Sequence, residues 1–237
     1  MSYIKEAYRG LAPDARVRLQ LWLAIVLFGI LLVAFAYWFA DSEKRYYTAI
    51  NVVGDILQTD TSRGIMFGSS TIRKFDAAKY LQCGKWENRG IGTAGVPDFQ
   101  FYMEFPFKRW KSEWILIYGG DNDVARDGHD AMQTIAIYDE FIADLFKRYV
   151  DVKIIMLEVK PSPNRTEHHE QYRLINSHLG ERAESNEKLF YASPDWPTLA
   201  EAEPEGAWAF FQADGVHLNM RGNQILADAI NKECKSL

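Results

Sequence analysis

The stretch that decides the fold, residues 114–123, reads WILIYGGDND. Its five apolar residues followed by a Gly-Gly pair are typical of a strand that is buried on both faces. Other short strand candidates lie at residues 65–67, 86–88, 152–159 and 189–191. Helices are expected between them, from residue 71 to about 81 and over residues 130–148, 166–184 and 219–235. Strands that alternate with helices predict a parallel sheet covered on both faces.

An N-terminal apolar run stands apart from this pattern. Residues 19–40 are 22 consecutive positions without a charge, and as a helix they would be about 33 Å long, enough to cross the hydrocarbon layer. Basic residues precede the run, whereas the charges just after it cancel. The positive-inside rule then predicts a cytoplasmic N-terminus and an extracytoplasmic remainder. The hypothesis is an uncleaved signal anchor, and a signal peptide cleaved after Ala34-Phe35-Ala36 is the alternative.

The composition of the 237-residue chain excludes some classes of function. With 27 basic and 32 acidic residues, the net charge of −5 argues against nucleic acid as a partner. Cys83 and Cys234 lack the spacing of metal ligands and are too few for a disulfide scaffold. An extracytoplasmic compartment would permit a disulfide between them, but nothing in the sequence shows that the two residues are close. We therefore expect both to be free, buried thiols.

Two short motifs carry residue types that nucleophilic catalysis uses. Ser69 and Ser70 follow the first strand at the start of a helix, where free backbone N–H groups favour developing negative charge. Asp214 precedes His217 by three residues, and such a carboxylate can orient a histidine that takes a proton from a serine. Each motif alone has a simpler explanation, because serines cap helices and Asp-Gly forms turns.

The acidic loop after the central strand has two interpretations. A calcium loop would need a ligand, a glycine and a glutamate where this sequence has Ala125, Arg126 and Met132. A calcium site is therefore excluded, and no metal is expected. Asn122 at the strand end could instead donate its amide to an oxyanion, or it could satisfy backbone groups in a turn.

Two arginines and a pair of histidines have less definite roles. Arg89 and Arg165 fall near strand ends, where each could meet an anionic substrate or form a structural salt bridge. His168 and His169 stand on a very polar helix, and we expect them on a solvated face.

Taken in chain order, four blocks resemble those of the SGNH (GDSL-type) hydrolase family. They are Gly-x-Ser at the first strand, Asn-x-Gly-x-Gly at the second, Gly-x-Asn-Asp at the third and Asp-x-x-His before the last helix. Lys160-Pro161-Ser162-Pro163 also looks like one bacterial branch of the family. With the strand pattern, the resemblance implies an α/β fold. This would be a flavodoxin-like three-layer α/β/α sandwich with a five-stranded parallel sheet.

The resemblance also implies roles for individual residues. Ser70 would be the nucleophile, His217 the base and Asp214 its orienting partner. The oxyanion would be stabilised by the Ser70 N–H, a backbone N–H of the second block and the Asn122 side chain. No metal or organic cofactor is implied.

Two positions depart from the family pattern. Ser69 replaces the aspartate of Gly-Asp-Ser, although the spacing still favours Ser70 as the nucleophile. In the second block, Thr93 stands where the family has its oxyanion glycine. The backbone donor could therefore be the N–H of either Gly92 or Thr93.

These inferences combine into a membrane-anchored serine esterase. Its parts are a cytoplasmic segment (1–18), a transmembrane helix (19–40), a juxtamembrane connector (41–63) and a periplasmic or extracellular hydrolase domain (64–237). The expected reaction is hydrolysis of a carboxylic ester, an O-acetylated glycan or a lipid ester, through an acyl-enzyme. The alternatives are an acyltransferase with the same residues, or a catalytically silent subunit of an envelope assembly.

Overall fold

A computed structural model describes residues 12–40, 43–57, 64–103 and 112–235. Residues 1–11 of the expected cytoplasmic segment lie outside the described residues, as do residues 41–42 and 58–63 of the expected connector. The chain separates into two compact units, Met1–Tyr46 and Tyr47–Leu237.

The N-terminal unit contains one long apolar helix, α1 (Pro13–Ala40). Within the stretch Pro13–Trp38, an 18-residue window has a mean hydropathy of 2.6, and none of that window is buried. Apolar side chains surround the helix instead of forming one stripe, as they do in helices that contact hydrocarbon. By length and composition, this helix is able to cross a membrane, as the helix of an anchor or of a signal sequence does.

The second unit is built on a five-stranded sheet. Its strands are β1 (Gly64–Gly68), β2 (Trp86–Asn88), β3 (Trp114–Tyr118), β4 (Lys153–Leu157) and β5 (Leu189–Ala192). The order is β2-β1-β3-β4-β5, and each neighbouring pair is parallel. This is the doubly wound order of flavodoxin-like folds, so the predicted fold class is confirmed.

Helices cover both faces of this sheet. In chain order they are α2 (Glu43–Leu57), α3 (Ser70–Arg73), α4 (Ala77–Tyr80), α5 (Val96–Met103), α6 (Asp121–Ala125), α7 (Ala131–Arg148), α8 (His169–Glu184), α9 (Trp196–Glu201) and α10 (Met220–Lys235). Two 3₁₀ helices, Pro163–His168 and Gly206–Phe210, precede α8 and α10. Alternate strand residues point to opposite faces. Residues of α5, α7 and α8 complete the core on one face, and residues of α3, α9 and α10 complete it on the other.

Two predicted helices differ from the observed ones. The helix expected up to residue 81 is two short helices, because Phe75 is buried between them and the Asp76 side chain caps the second. The polar helix begins as a 3₁₀ helix with a non-helical residue, Arg165, inside it.

The prediction that His168 and His169 lie on a solvated face was wrong. Both are half-buried, and the His169 ring nitrogen lies 3.0 Å from the carbonyl oxygen of Ser162.

The expectation of free thiols was also wrong, because Cys83 and Cys234 form a disulfide with their Cα atoms 6.0 Å apart. The two residues are 151 positions apart in the sequence, so no local spacing indicated the pair. They meet because α10 packs back beside α4, where the Asn231 amide bonds the backbone of Gln82 and Tyr80. The disulfide therefore joins the last helix to the segment that leads into β2.

We expect the disulfide to stabilise the domain strongly. In the chain-entropy description, closing so long a loop contributes up to about 5 kcal/mol. The double variant Cys83→Ser/Cys234→Ser should therefore unfold at a lower denaturant concentration than the wild type. Reductant should destabilise the wild type only. Equal intact masses of the wild type before and after reduction, with no gain of two hydrogens, would contradict the pairing.

Within the second unit, a buried ion pair joins the C-terminal part of α2 to the residue that follows β2. Arg89 Nη2 lies 2.7 Å from Asp55 Oδ1, and the two side chains are only 9% and 5% exposed. The Tyr102 hydroxyl also donates to Asp55, and Asn51 donates to the carbonyl oxygen of Arg89 at 3.2 Å. Burial alone would lower the pKa of Arg89, but the Asp55 carboxylate outweighs it and the pKa is raised. Of the two roles open for Arg89, the structure shows the salt bridge.

Removing the Asp55 carboxylate should cost much of the stability of this domain. Asp55→Ala leaves the Arg89 guanidinium buried without this partner, and we expect the free energy of unfolding to fall by about 3–5 kcal/mol. The matched control is Glu170→Ala, whose partner Arg173 is 66% exposed; this should cost at most about 1 kcal/mol. Urea unfolding of both variants measures the difference. Equal losses would mean that α2 is not fastened by this pair.

Candidate active site

The expected site residues lie at the carboxyl ends of the strands. In the order β2-β1-β3-β4-β5, the connections leave β1 and β3 in opposite directions, which opens a crevice between the ends of these two strands. Ser70 follows β1 and Asn122 follows β3, on either side of this crevice. Gly68 ends β1, and a Cβ atom there would lie 2.2 Å from Ile72 Cγ1, so the close turn into α3 requires glycine.

The two neighbouring serines have different surroundings. Ser69 is completely buried and is the N-cap of α3, with its hydroxyl 3.5 Å from the Thr71 N–H. Ser70 is half-buried, and its Oγ lies 2.9 Å from His217 Nε2. Only the second serine is therefore placed to give its proton to the histidine.

Asp214 and His217 are held together by the turn before α10. The carboxylate Oδ2 accepts from His217 Nδ1 at 2.6 Å, and Oδ1 accepts from the backbone N–H groups of Val216 and His217 at 2.9 Å each. With its proton on Nδ1, the neutral ring presents the lone pair of Nε2 to Ser70. The structure thus brings Ser70, His217 and Asp214 into one chain of hydrogen bonds.

The surroundings of Asp214 favour its ionised form. Partial burial would raise the pKa of this carboxyl, but hydrogen bonds from the His217 backbone, the His217 ring and the Val216 backbone outweigh that effect. The pKa of Asp214 therefore lies well below its ordinary value of 3.8. A permanent carboxylate keeps its partner ring in one tautomer.

The Asn122 side chain is buried and points one amide hydrogen toward the neighbouring loop. Its Nδ2 donates to the carbonyl oxygen of Ala94 at 3.0 Å, and its Oδ1 accepts from Arg165 Nη2 at 3.0 Å. The two contacts distinguish the oxygen from the nitrogen of the amide. In the part of the chain that the structure describes, the other amide hydrogen has no protein acceptor.

The loop that receives Asn122 is a tight turn with an unusual residue. Ala94 N–H bonds the carbonyl oxygen of Ile91 at 3.2 Å, and Thr93 has φ +62°. A β-turn with a left-handed third residue normally has glycine there, because a β-branched side chain is strained in that region. Thr93 thus keeps the backbone conformation of a glycine position. Gly92, beside it, is buried.

Several backbone donors remain unpaired around this crevice. Among the described residues, the N–H groups of Ser70, Gly92 and Thr93 make no hydrogen bond to a protein acceptor. Unpaired N–H groups in partly buried positions are uncommon in folded proteins. These donors are available to an anionic oxygen.

A buried charged cluster lies behind Asn122 and was not assigned from the sequence. Lys160 Nζ is 3.0 Å from Asp121 Oδ2 and donates to the Tyr118 hydroxyl at 2.8 Å. Burial would raise the pKa of Asp121, but the cations of Lys160 and Arg165 outweigh it and hold the pKa below its ordinary value. The signals in the sequence were the Lys160-Pro161-Ser162-Pro163 motif and the place of Arg165 near a strand end. Within the described ranges, no group of three or more His, Cys, Asp or Glu side chains could hold a metal ion.

Comparison with known proteins identifies the family. A model of the GDSL-like lipase/acylhydrolase family matches residues 73–225, which is more than half of the chain. The chain therefore belongs to the GDSL-like lipase/acylhydrolase family and is an ester hydrolase. The matched segment includes Asn122, Asp214 and His217 and begins just after Ser70. Among curated proteins nothing matches.

Solved structures show the same fold at low sequence identity. A Streptococcus pneumonia protein provisionally described as a platelet activating factor has a TM-score of 0.69 at 15% identity, over 87% of this chain and 99% of that one. A GDSL-like lipase from Bacteroides thetaiotaomicron has a TM-score of 0.62 at 18% identity, over 80% and 97%. A carbohydrate esterase family 3 protein from Talaromyces cellulolyticus has a TM-score of 0.55 at 15% identity, over 73% and 99%.

Proposed function

We propose that this chain is a membrane-anchored, extracytoplasmic serine esterase with Ser70 as nucleophile, His217 as general base and Asp214 as the orienting carboxylate. The observation that carries the proposal is the continuous hydrogen-bonded chain from Asp214 through His217 to Ser70. The family membership independently supports hydrolysis of an ester.

In the proposed reaction, the Ser70 oxygen bonds to the ester carbonyl carbon while its proton moves to His217 Nε2. His217 then gives that proton to the leaving alcohol oxygen as the ester C–O bond breaks, which leaves an acyl-enzyme. Water attacks the acyl carbon, His217 takes a proton from it, and the proton returns to Ser70 as the acid leaves. Asp214 stays ionised throughout.

The developing oxyanion would be held by the donors that surround the crevice. They are the N–H groups of Ser70 and of the second-block turn, together with the Asn122 amide. Between Gly92 and Thr93, we favour Thr93, because the family resemblance places a glycine there and Thr93 has the left-handed backbone that glycine adopts most readily. A donor held in place before the reaction costs no reorganisation in the transition state.

The substrate proposal follows from the N-terminal helix. If residues 19–40 anchor the chain with its N-terminus in the cytoplasm, the hydrolase domain lies in the periplasm or outside the cell. Esters available there include O-acetylated glycans and lipid esters. The solved carbohydrate esterase structure is compatible with the first class, and placement beside a bilayer suits both.

One labelling experiment tests the nucleophile and the anchor together. Membranes that contain the full chain are washed at alkaline pH, treated with a serine-directed fluorophosphonate, and digested for mapping of the adduct. We expect the adduct on Ser70 of a protein that stays in the membrane fraction. No adduct would favour the silent subunit, and a labelled soluble protein beginning at Tyr37 would favour a cleaved signal. The products formed from an ester substrate separate the remaining alternative: recovery of an acylated acceptor instead of the free acid would favour the acyltransferase.

A further inference from the structure

The Asn122 side chain can serve as an oxyanion donor in only one of its two orientations. Rotating the terminal amide by 180° exchanges its oxygen and nitrogen, which occupy almost the same volume. One orientation presents N–H donors to the crevice, and the other presents a carbonyl oxygen that would repel an oxyanion. Some neighbouring group must therefore select the orientation.

Arg165 is placed to make that selection. Its Nη2 donates to Asn122 Oδ1 at 3.0 Å, and its Nη1 donates to the backbone oxygen of Asp121 at 3.1 Å. A guanidinium group has only donors, so it can face only the oxygen of the amide. Ala94 accepts from the opposite side of the same amide, which places the nitrogen there.

The guanidinium is itself held rigidly. Its side chain is 14% exposed, and Nη1 lies 3.5 Å from the Asp121 carboxylate, which Lys160 and Tyr118 fix in turn. Arg165 also interrupts the 3₁₀ helix with φ −138° and ψ 35°. Lys160 and Arg165 thus reach the end of β3 from one short segment after β4.

We propose that Arg165 is a positioning residue that holds the Asn122 amide in its donating orientation. The inference rests on the proposed function, because it assumes that Asn122 stabilises the oxyanion. Of the two roles open for Arg165, the structure shows the salt bridge, with Nη1 3.5 Å from the Asp121 carboxylate, and the positioning role comes in addition to it. Any effect of an Arg165 substitution on kcat should therefore arise from a changed orientation of the Asn122 amide.

A double-mutant cycle on the full chain tests this. Asn122→Ala should lower kcat by about 10²–10³-fold, as the loss of one oxyanion donor does. Arg165→Lys keeps the charge but loses the forked geometry, and Arg165→Met loses both. We expect each to lower kcat by about 10–100-fold with KM nearly unchanged, which is a transition-state effect. In the Asn122→Ala background, the same substitutions should lower kcat by less than about 3-fold, because coupled residues are not additive.

Arg173→Met is the matched control, because Arg173 lies on α8 with an exposed side chain and, among the described residues, forms its ion pair with Glu170. It should leave kcat unchanged in both backgrounds. Full additivity of the effects of the Arg165 and Asn122 substitutions on kcat would overturn the inference, as would an unchanged kcat for Arg165→Lys. If Arg165→Met fails to fold, the kcat values of Arg165→Lys in the two backgrounds decide the test. A fluorophosphonate adduct on Ser70 in every variant keeps the proposed nucleophile separate from this outcome.

Discussion

Replacing Ser70 with alanine is expected to lower kcat for a short-chain aryl ester by at least about 10⁵-fold, the scale at which removal of a serine nucleophile abolishes covalent catalysis. The reason is geometric, since the Ser70 hydroxyl is the one that lies 2.9 Å from His217 Nε2. The fold should survive, because Ser70 is only half-buried and the adjacent N-cap is Ser69. The kcat values of the wild type and Ser70→Ala check the first statement, and matching circular dichroism spectra of the two proteins check the second.

Ser69→Ala is the control for this prediction. Its hydroxyl is buried and only caps α3, so the expected loss is about 1 kcal/mol of stability, with turnover largely kept. The reverse result, an inactive Ser69→Ala and an active Ser70→Ala, would mean that the assignment is wrong by one residue. Two active variants would contradict the serine mechanism and favour the silent subunit.

Replacing Asp214 with asparagine is expected to lower kcat by up to about 10⁴-fold, by analogy with the serine-protease carboxylate. An asparagine amide can present its N–H groups to His217 Nδ1, which stabilises the tautomer whose Nε2 carries the proton and cannot accept from Ser70. The two backbone N–H groups that bond Oδ1 can still be satisfied by the asparagine oxygen, so the turn should persist. The measurement is kcat of the purified full chain, with Glu203→Gln as a control carboxylate that pairs with Arg221.

The contribution of the Asp214 carboxylate to the stability of the folded state should depend on pH in a definite direction. Its pKa in the folded chain lies below the ordinary value of 3.8, so the carboxylate stabilises the folded state above that pH. That contribution is lost only as the pH falls further, through the depressed value. A loss of wild-type activity between pH 7 and pH 5 therefore should not arise from protonation of Asp214. A wild-type chain that loses the stabilising contribution of Asp214 already at pH 5, measured against Asp214→Asn, would contradict the depressed pKa.

The sequence by itself determined the layers of the fold and the order of the site motifs. Short continuous apolar runs indicate buried strands, and an apolar period of about 3.6 residues indicates amphipathic helices. Both signals are local properties of the sequence. Since the carboxyl ends of parallel strands share one edge, Ser70 and Asn122 could be placed at that edge from chain order alone. The three-residue spacing of Asp214 and His217 was equally local. The precise donors in the second block could not be chosen in this way, because backbone conformation at Thr93 is set by the turn it closes.

Only the tertiary structure decided the contacts between distant segments. The disulfide joins residues 151 positions apart, the Arg89–Asp55 pair spans 34 positions, and Arg165 reaches Asn122 across 43. An arginine can be exposed at the surface, contact a substrate or form a buried ion pair. The residue type alone therefore could not tell which role Arg89 or Arg165 has. Their partners depend on how whole elements pack: α10 against α4, α2 against the second-block loop, and the segment after β4 against the end of β3. Such packing is fixed by burial summed over the entire core, and no short window of sequence contains that sum.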